Sequence, residues 1–153
     1  MSYGRPRQNR RQGNRRDDIK NEIFSVGDEL IKNSPKILNK KTKEDVDMFI
    51  NLSESFGRLC TEYRPRGKKI STTQIRGIFQ QVKRLSDDFE TSRIPLNLLR
   101  PKLAYQTGRF EVLEPLTKVL THMIKNVKDD TTLKGFKDFF EAIIAYHKAY
   151  GGE

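Results

Sequence analysis

The sequence predicts an all-α fold, a single-domain bundle of about five helices that follows a disordered basic N-terminal arm. Two patterns support this class. Apolar residues recur at helical spacing in several segments that open with good N-cap residues, and no segment shows sustained β alternation. The length of 153 residues allows one domain with one hydrophobic core. We therefore divide the chain into a disordered Arg-rich arm, residues 1–16, and a helical domain, residues 17–153.

The N-terminal arm differs in composition from the rest of the chain. Residues 1–16 hold six arginines, no acidic residue and no apolar period, which is typical of disorder. Such an arm can attach loosely to RNA, with Tyr3 available for stacking, or it can be a solubilising tail. After it, four apolar residues at helical spacing predict a short helix between Ile19 and Leu30, which Gly27 weakens.

The next helix begins after a connection, residues 33–41. Thr42 followed by Asp45 resembles a capping arrangement and opens a helix that runs to about Tyr63. Its apolar face comprises Val46, Phe49, Ile50, Phe56, Leu59 and Cys60. Because Cys60 lies on this face, we expect a small core residue rather than a reactive thiol.

The segment from Lys68 to Phe89 has the most complete helix start signal in the chain. Ser71 and Gln74 have the spacing of a capping box, and Ile70 and Ile75 flank the cap as an apolar pair. An apolar stripe follows, formed by Ile75, Ile78, Phe79, Val82, Leu85 and Phe89. A different face of the helix has Arg76, Gln80 and Lys83 at positions i, i+4 and i+7. The sequence therefore predicts one side that packs and one side that is positively charged.

Two prolines interrupt the segment that follows. Pro95 and Pro101 both predict breaks in a continuous helix, and Pro101 suits the first position of a short helix that ends at Gly108. On that helix, Lys102, Tyr105 and Arg109 fall near one another. This grouping suits phosphate contact with base or sugar stacking. In the alternative interpretation, Tyr105 is a core aromatic residue that the bases merely flank.

Two further helices complete the predicted bundle. One spans Phe110 to Val127 with Pro115 in its first turn, and its inward residues are Leu113, Leu116, Leu120, Met123, Ile124 and Val127. The other begins after caps offered between Asp129 and Thr132 and ends near Tyr150. Its stripe is the strongest in the chain and comprises Phe136, Phe139, Phe140, Ile143, Ile144 and His147.

Positive charge is concentrated in the middle of the chain. The net charge is +10, and residues 63–110 alone hold eleven bases and three acids, a net +8. Residues 63–86 and 91–110 contain no acid at all. A solvated basic face is the simplest explanation, but this segregation favours a polyanionic partner.

No catalytic constellation is evident. His122 and His147 lie on separate predicted helices without ligand-spaced neighbours, so we expect packing or surface roles. Asp87, Asp88 and Glu90 could bind Mg²⁺ in a nuclease, yet successive helix residues point about 100° apart and the group lies where a helix ends. No phosphate-binding glycine loop is present. We therefore predict a protein that is not an enzyme and has neither a metal site nor a cofactor.

The cellular location follows from the cysteine count and the hydropathy. The single cysteine excludes an internal disulfide framework and fits a reducing compartment. No apolar run is long enough for a membrane span, and the N-terminus lacks the apolar core of a secretory signal. The expectation is a soluble cytoplasmic protein.

Three segments resemble a known family, the small subunit of the type III-A CRISPR–Cas effector, called the Csm complex. They are STTQIRGIFQQVKRL, similar to the family's TT-x-x-x-R helix; LRPKLAYQTGR, similar to its K-x-x-Y-x-x-GR segment; and FKDFFEAIIAYHKAY, similar to its C-terminal helix. The likeness covers roughly Asp45 to Tyr150, with the segments in the family's order. The Arg-rich arm is outside this pattern, and Pro101 lies within the second segment.

The resemblance implies a non-catalytic subunit that supports the crRNA–target RNA duplex in antiviral defence. Its partners would be crRNA, target RNA, the backbone subunits, the large polymerase-like subunit and further copies of itself, without a membrane. Target cleavage and cyclic oligoadenylate synthesis would belong to other subunits. On this basis we expect nucleic-acid contacts from Lys68, Lys69, Arg76, Lys83, Lys102, Tyr105 and Arg109, with Arg64, Arg66 and Arg100 as a second set.

Two other functions stay open at this point. A free-standing helical DNA-binding regulator would also present a basic helix after a loop, and it would prefer a particular duplex site. A protein-binding scaffold would use the basic face for acidic partners.

Overall fold

The computed structural model describes residues 5–153, with side chains from residue 15 onward. This part of the chain contains seven α-helices and no strand, so the all-α prediction is confirmed while the helix number exceeds the predicted five. The helices are α1 Arg5–Lys32, α2 Ser34–Leu38, α3 Lys43–Glu62, α4 Thr72–Lys83, α5 Phe89–Arg109, α6 Glu114–Asn126 and α7 Asp130–Ala149. Short 3-10 turns, Pro65–Gly67 and Glu111–Leu113, precede α4 and α6.

The C-terminal helix α7 is the centre of the bundle. It packs against α2, α3 and α4, while α1 lies across α3 and α6, and α5 packs on α6. Phe136, Phe139 and Phe140 of α7 are completely buried, together with Phe56 of α3. Burial of aromatic side chains on this scale is the main stabilising contribution to such a core. The strongest apolar stripe in the sequence therefore forms the helix that most other helices contact.

Local capping interactions start the helices where the sequence predicts. The Ser71 hydroxyl accepts a hydrogen bond from the Gln74 amide at 3.0 Å, and the Gln74 side chain accepts one from the Ser71 amide at 3.0 Å. Thr42 caps α3 by accepting from the Asp45 amide at 3.1 Å. These bonds satisfy N–H groups that have no partner within the helix. The predicted capping box and the cap of α3 are confirmed.

Several predicted boundaries in the first third are wrong. The connection 33–41 contains α2, because Pro35 lies in a first turn, where it is tolerated, and Ile37 and Leu38 are buried. Residues 5–16, assigned to the disordered arm, lie in α1. Residues 1–4 and the side chains of residues 5–14 are outside the described part, so for residues 1–4 disorder stays a prediction.

The middle third contains the largest correction. Helix α4 ends at Lys83, so Phe89 opens α5 instead of closing α4. Pro95 and Pro101 do not break α5, and the helix ends one residue after Gly108. Both prolines are exposed, and each leaves the carbonyl four residues earlier without an amide partner. The helix is held on its core side by the buried side chains Leu96, Leu99 and Leu103, which lie before and after Pro101.

The end of the chain returns to the start of α4. The backbone oxygen of Glu153 accepts a hydrogen bond from the Thr72 amide at 2.5 Å, and its carboxylate lies 3.1 Å from the Lys69 ammonium. This contact fixes the segment that leads into the basic helix. Along residues 5–153, no helix has both the length and the apolar content to cross a bilayer.

Candidate nucleic-acid interface

The predicted contact residues lie on the surface. Nine of the ten are exposed, and Arg100 is half-buried. Within the described part of the chain, only Arg66 and Lys69 of this set form ion pairs, with Glu111 at 3.7 Å and with Glu153 at 3.1 Å. Exposed ion pairs of this kind contribute little stability, so these cations can exchange partners readily.

The buried face of α4 sets the direction of its cationic side chains. Ile75, Ile78 and Val82 are buried, which orients Arg76 and Lys83 toward solvent. Neither cation has an ion-pair partner among the described residues. The chain from residue 63 to 86 contains no acid, so no carboxylate on α4 itself competes for these side chains.

On α5 the predicted trio shares one exposed face. At about 100° per residue, Lys102, Tyr105 and Arg109 fall within about 60° of one another around the helix axis. Tyr105 is 63% exposed, so the alternative of a core aromatic residue is wrong. The guanidinium of Arg109 lies 5.0 Å from the centroid of the Phe110 ring, a cation–π distance that orients it. An exposed ring between two cations can stack on a base while the cations bind phosphates.

The cations of α4 and α5 do not share a groove. Lys102 and Tyr105 line a groove of about 320 Å³ between the two helices, together with Ile78 and Gln81 of α4. Arg76 and Lys83 of α4 lie about 160° and about 140° around the helix axis from Ile78, so they face away from this groove. The structure thus divides the main predicted set into two surfaces.

Arg100 belongs to a third surface. It lines a groove of about 660 Å³ on the other side of α5, where Lys118 and Lys125 of α6 also lie. The sequence spacing explains this position, since Arg100 is two residues before Lys102 and therefore about 160° away on the helix. Lys118 and Lys125 were not predicted, because only the packing of α6 against α5 brings them near Arg100.

The cations of the loop between α3 and α4 lie beside α1. Arg64 and Arg66 line a cleft with Arg15, Arg16 and Lys20 of α1. Arg66 has a positive φ of 54° and Gly67 one of 77°, a tight turn that leaves the Arg66 side chain 86% exposed. Lys20 was not predicted, and Arg15 and Arg16 were assigned to the arm, because no local pattern connects α1 to a loop more than forty residues later.

The acidic residues considered for a nuclease have structural roles. Asp88 caps α5, and the hydrogen bonds from the Thr91 hydroxyl and amide hold its pKa below the usual value. The ammonium of Lys137 lies 2.9 Å from Asp87 and lowers the pKa of that carboxyl. Within the described residues, no cluster of three or more potential metal ligands occurs.

The remaining candidate side chains are part of the core. Burial raises the pKa of the Cys60 thiol to about 12, as expected for a packing residue rather than a nucleophile. His147 is buried, and burial lowers its pKa. His122 is half-exposed beside α5, next to Lys118 and Lys125.

These features define a small all-helical protein with several exposed cationic surfaces. The family model for Csm2 Type III-A matches residues 43–153, most of the chain. The chain therefore belongs to the Csm2 family of small subunits of the type III-A CRISPR Csm complex, as the sequence resemblance predicted. A relative described as "CRISPR system Cms protein Csm2" from Streptococcus thermophilus is 31% identical over 91 residues, covering 55% of this chain and 75% of the relative. No solved structure gives a significant match.

Proposed function

We propose that this protein is a non-catalytic, cytoplasmic RNA-binding subunit that contacts the crRNA–target RNA region of the Csm complex and bridges its other subunits. The observation that supports this proposal most directly is the exposed face of α5, where Lys102, Tyr105 and Arg109 lie together without an ion pair among the described residues. Cations around an exposed ring suit a nucleic-acid backbone with unstacked bases. The RNA guide supplies specificity by base pairing, so these contacts are independent of sequence.

The exposed faces of α5 and α4 suit different contacts with RNA. The α5 face has the ring and two cations, so we assign it to the RNA where bases are accessible. The outward stripe of α4, with Arg76 and Lys83, has cations but no aromatic residue, so it suits phosphate contact alone. Lys68 and Lys69 lead into the same helix, and both are exposed.

The bridging role is supported by exposed apolar residues at the other end of α5. Ile94 is 64% exposed and Leu98 is 56% exposed, one helical turn apart. Two adjacent exposed apolar side chains on one helix face suit a protein contact. On α3, Val46 and Ile50 were predicted to face the core but are 39% and 38% exposed, next to the exposed Asp47. Two exposed apolar pairs on different helices of one chain leave room for a head-to-tail contact between copies.

The experiment is target-RNA binding by complexes assembled from crRNA, the other Csm subunits and either wild-type protein or a variant. For Lys102→Ala with Arg109→Ala, we expect weaker binding for unrelated guide–target pairs alike. The salt dependence should become shallower by about 1.4 to 1.8 in log–log slope. The matched control is Lys36→Ala with Lys128→Ala, which removes the same charge from exposed positions elsewhere. The proposal is contradicted if the double variant binds target RNA like the control, or if the loss of affinity is confined to one target sequence.

A second variant tests the stripe of α4 separately. Arg76→Ala with Lys83→Ala should reduce affinity and leave the melting temperature nearly unchanged, because both side chains are exposed. Wild-type affinity in this variant would restrict the RNA contact to α5. Wild-type affinity in both variants would show that neither the α5 face nor the α4 stripe contacts RNA.

A further inference from the structure

A cleft of about 840 Å³ lies between the middle of α1 and the turn that follows α3. Five cationic side chains line it: Arg15, Arg16, Lys20, Arg64 and Arg66. Three come from α1 and two from the turn, so the cleft exists only because α1 packs across α3. It shares no lining residue with the groove between α4 and α5.

The acidic residues of the cleft do not neutralise it. Asp17, Glu62 and Glu111 also line the cleft, against five cations. Glu62 is engaged by Arg58 at 3.1 Å, and Glu111 lies 3.7 Å from Arg66. Among the described residues, the other four cations of the cleft have no ion pair. An anionic ligand would therefore meet several cations that no carboxylate has already engaged.

An aromatic ring makes the cleft suitable for nucleic acid rather than for an acidic peptide. Tyr150 lines the cleft and is 44% exposed. Its hydroxyl donates a hydrogen bond to Glu54 at 2.7 Å, which holds the ring in place. Arginine forks bind phosphate oxygens in pairs, and a fixed ring offers a surface on which one base can stack. A carboxylate-rich peptide would use the arginines but has no planar base to stack on the ring.

The cleft also joins two parts of the chain that the family comparison separates. The match to the Csm2 model begins at residue 43, so Arg15, Arg16 and Lys20 precede it, whereas Arg64 and Arg66 lie within it. Helix α1 thus forms one side of the cleft and contributes three of its cations, and the turn of the matched region forms the other side. The matched region alone could therefore not form this cationic cleft.

We propose that this cleft is a second RNA site, which takes the phosphate backbone of a single-stranded segment and stacks one base on Tyr150. The proposal rests on the proposed function for the nature of the ligand, but it concerns different residues. Its consequence is that the N-terminal helix is an RNA-binding element, which holds a strand separately from the face of α5. Two separate contacts on one RNA increase affinity through effective concentration.

The experiment measures fluorescence anisotropy of a fluorescein-labelled, mixed-sequence single-stranded RNA of about 20 nucleotides with the full chain, over a range of salt concentrations. The cleft variant is Arg15→Ala, Arg16→Ala, Lys20→Ala. The matched control is Lys36→Ala, Lys41→Ala, Lys128→Ala, which removes equal charge from exposed positions outside the cleft. Alanine favours the helix, so α1 should persist, and far-ultraviolet circular dichroism verifies it.

We expect the cleft variant to lose about tenfold in affinity and its log–log salt slope to become shallower by about 2, since three phosphate contacts are removed. The control should stay within about twofold of the wild type. Tyr150→Leu should weaken binding by about fivefold or more, whereas Tyr150→Phe, which keeps the ring, should not. Affinity of the cleft variant equal to that of the control overturns the inference.

The wild type and the α5 variant in the same titrations separate this inference from the proposed function. A cleft variant that binds like the control, beside an α5 variant that loses affinity, refutes the cleft alone. Wild-type protein that binds no RNA in these titrations refutes the cleft, and the assembled complexes then decide the α5 contact separately. Polyglutamate can also be tested as a competitor. If it displaces the labelled RNA as effectively as unlabelled RNA of equal charge does, the cleft is a site for acidic protein and the assignment to RNA is refuted.

Discussion

The contact between α3 and α7 leads to a sharp prediction about stability. Gly57 of α3 lies so close to α7 that a Cβ there would be 2.7 Å from the Cβ of Tyr146 and 3.1 Å from the amide nitrogen of His147. Contacts under 3.0 Å essentially never occur for real Cβ atoms, so Gly57→Ala must push α7 away from α3. Overpacking against backbone costs up to about 3 kcal/mol, and the better helix propensity of alanine returns about 1 kcal/mol.

The net loss is therefore about 2 kcal/mol, which corresponds to a melting temperature lower by about 4–8 °C for a chain of this length. Thermal unfolding followed by circular dichroism, with urea unfolding as a second measure, tests it. Gly77→Ala is the matched control, because a Cβ there meets nothing within 4 Å in the middle of α4. That variant should gain about 0.5–1 kcal/mol. Gly57→Ala at least as stable as the wild type would refute the close-packing argument.

Three further predictions concern assembly, pH and capping. Ile94→Ser with Leu98→Ser should leave the melting temperature nearly unchanged and reduce the fraction of chain that co-elutes with the other Csm subunits in size-exclusion chromatography; unchanged co-elution contradicts the bridging surface. His147 has a lowered pKa in the folded state, so unfolding takes up a proton, and stability should fall as the pH drops below the unfolded value of about 6.5. Urea unfolding of wild type and His147→Gln between pH 5 and pH 8 tests this, and equal pH dependence in both contradicts it. Asp129→Ala should cost about 1 kcal/mol in urea unfolding, because the Asp129 carboxylate accepts from the Thr132 amide at 2.8 Å, whereas Asp129→Asn should cost less.

The parts of the structure that the sequence predicts well are those fixed by neighbours along the chain. Ser71 and Gln74 are three residues apart, so their capping box forms wherever the rest of the protein lies. The grouping of Lys102, Tyr105 and Arg109 depends only on the turn of one helix. Lys102 and Tyr105 border the groove that Leu99 and Leu103 also line, but they lie on its exposed side.

The parts that sequence reasoning misses depend on packing between distant segments. Val46 and Ile50 have the spacing of a core face, but they stay partly exposed, because the packing of α3 against α1, α2 and α7 leaves that part of its face uncovered. Arg15 and Arg64 meet because α1 crosses α3, and neither segment alone indicates the other. The cleft could therefore not be predicted, although its residues were visible as an arginine-rich stretch and a basic loop.

The continuity of α5 matters for function as well as for fold. Its 21 residues rise about 1.5 Å each, so the helix is about 32 Å long. Ile94 and Leu98 lie toward one end of its exposed face and Lys102, Tyr105 and Arg109 toward the other. A break at Pro101, as the sequence suggested, would let the two ends rotate independently. Because buried leucines hold the helix across both prolines, a protein contact at one end fixes the direction of the cations at the other. Docking through Ile94 and Leu98 would then orient the proposed RNA-binding face without any contact between the two surfaces.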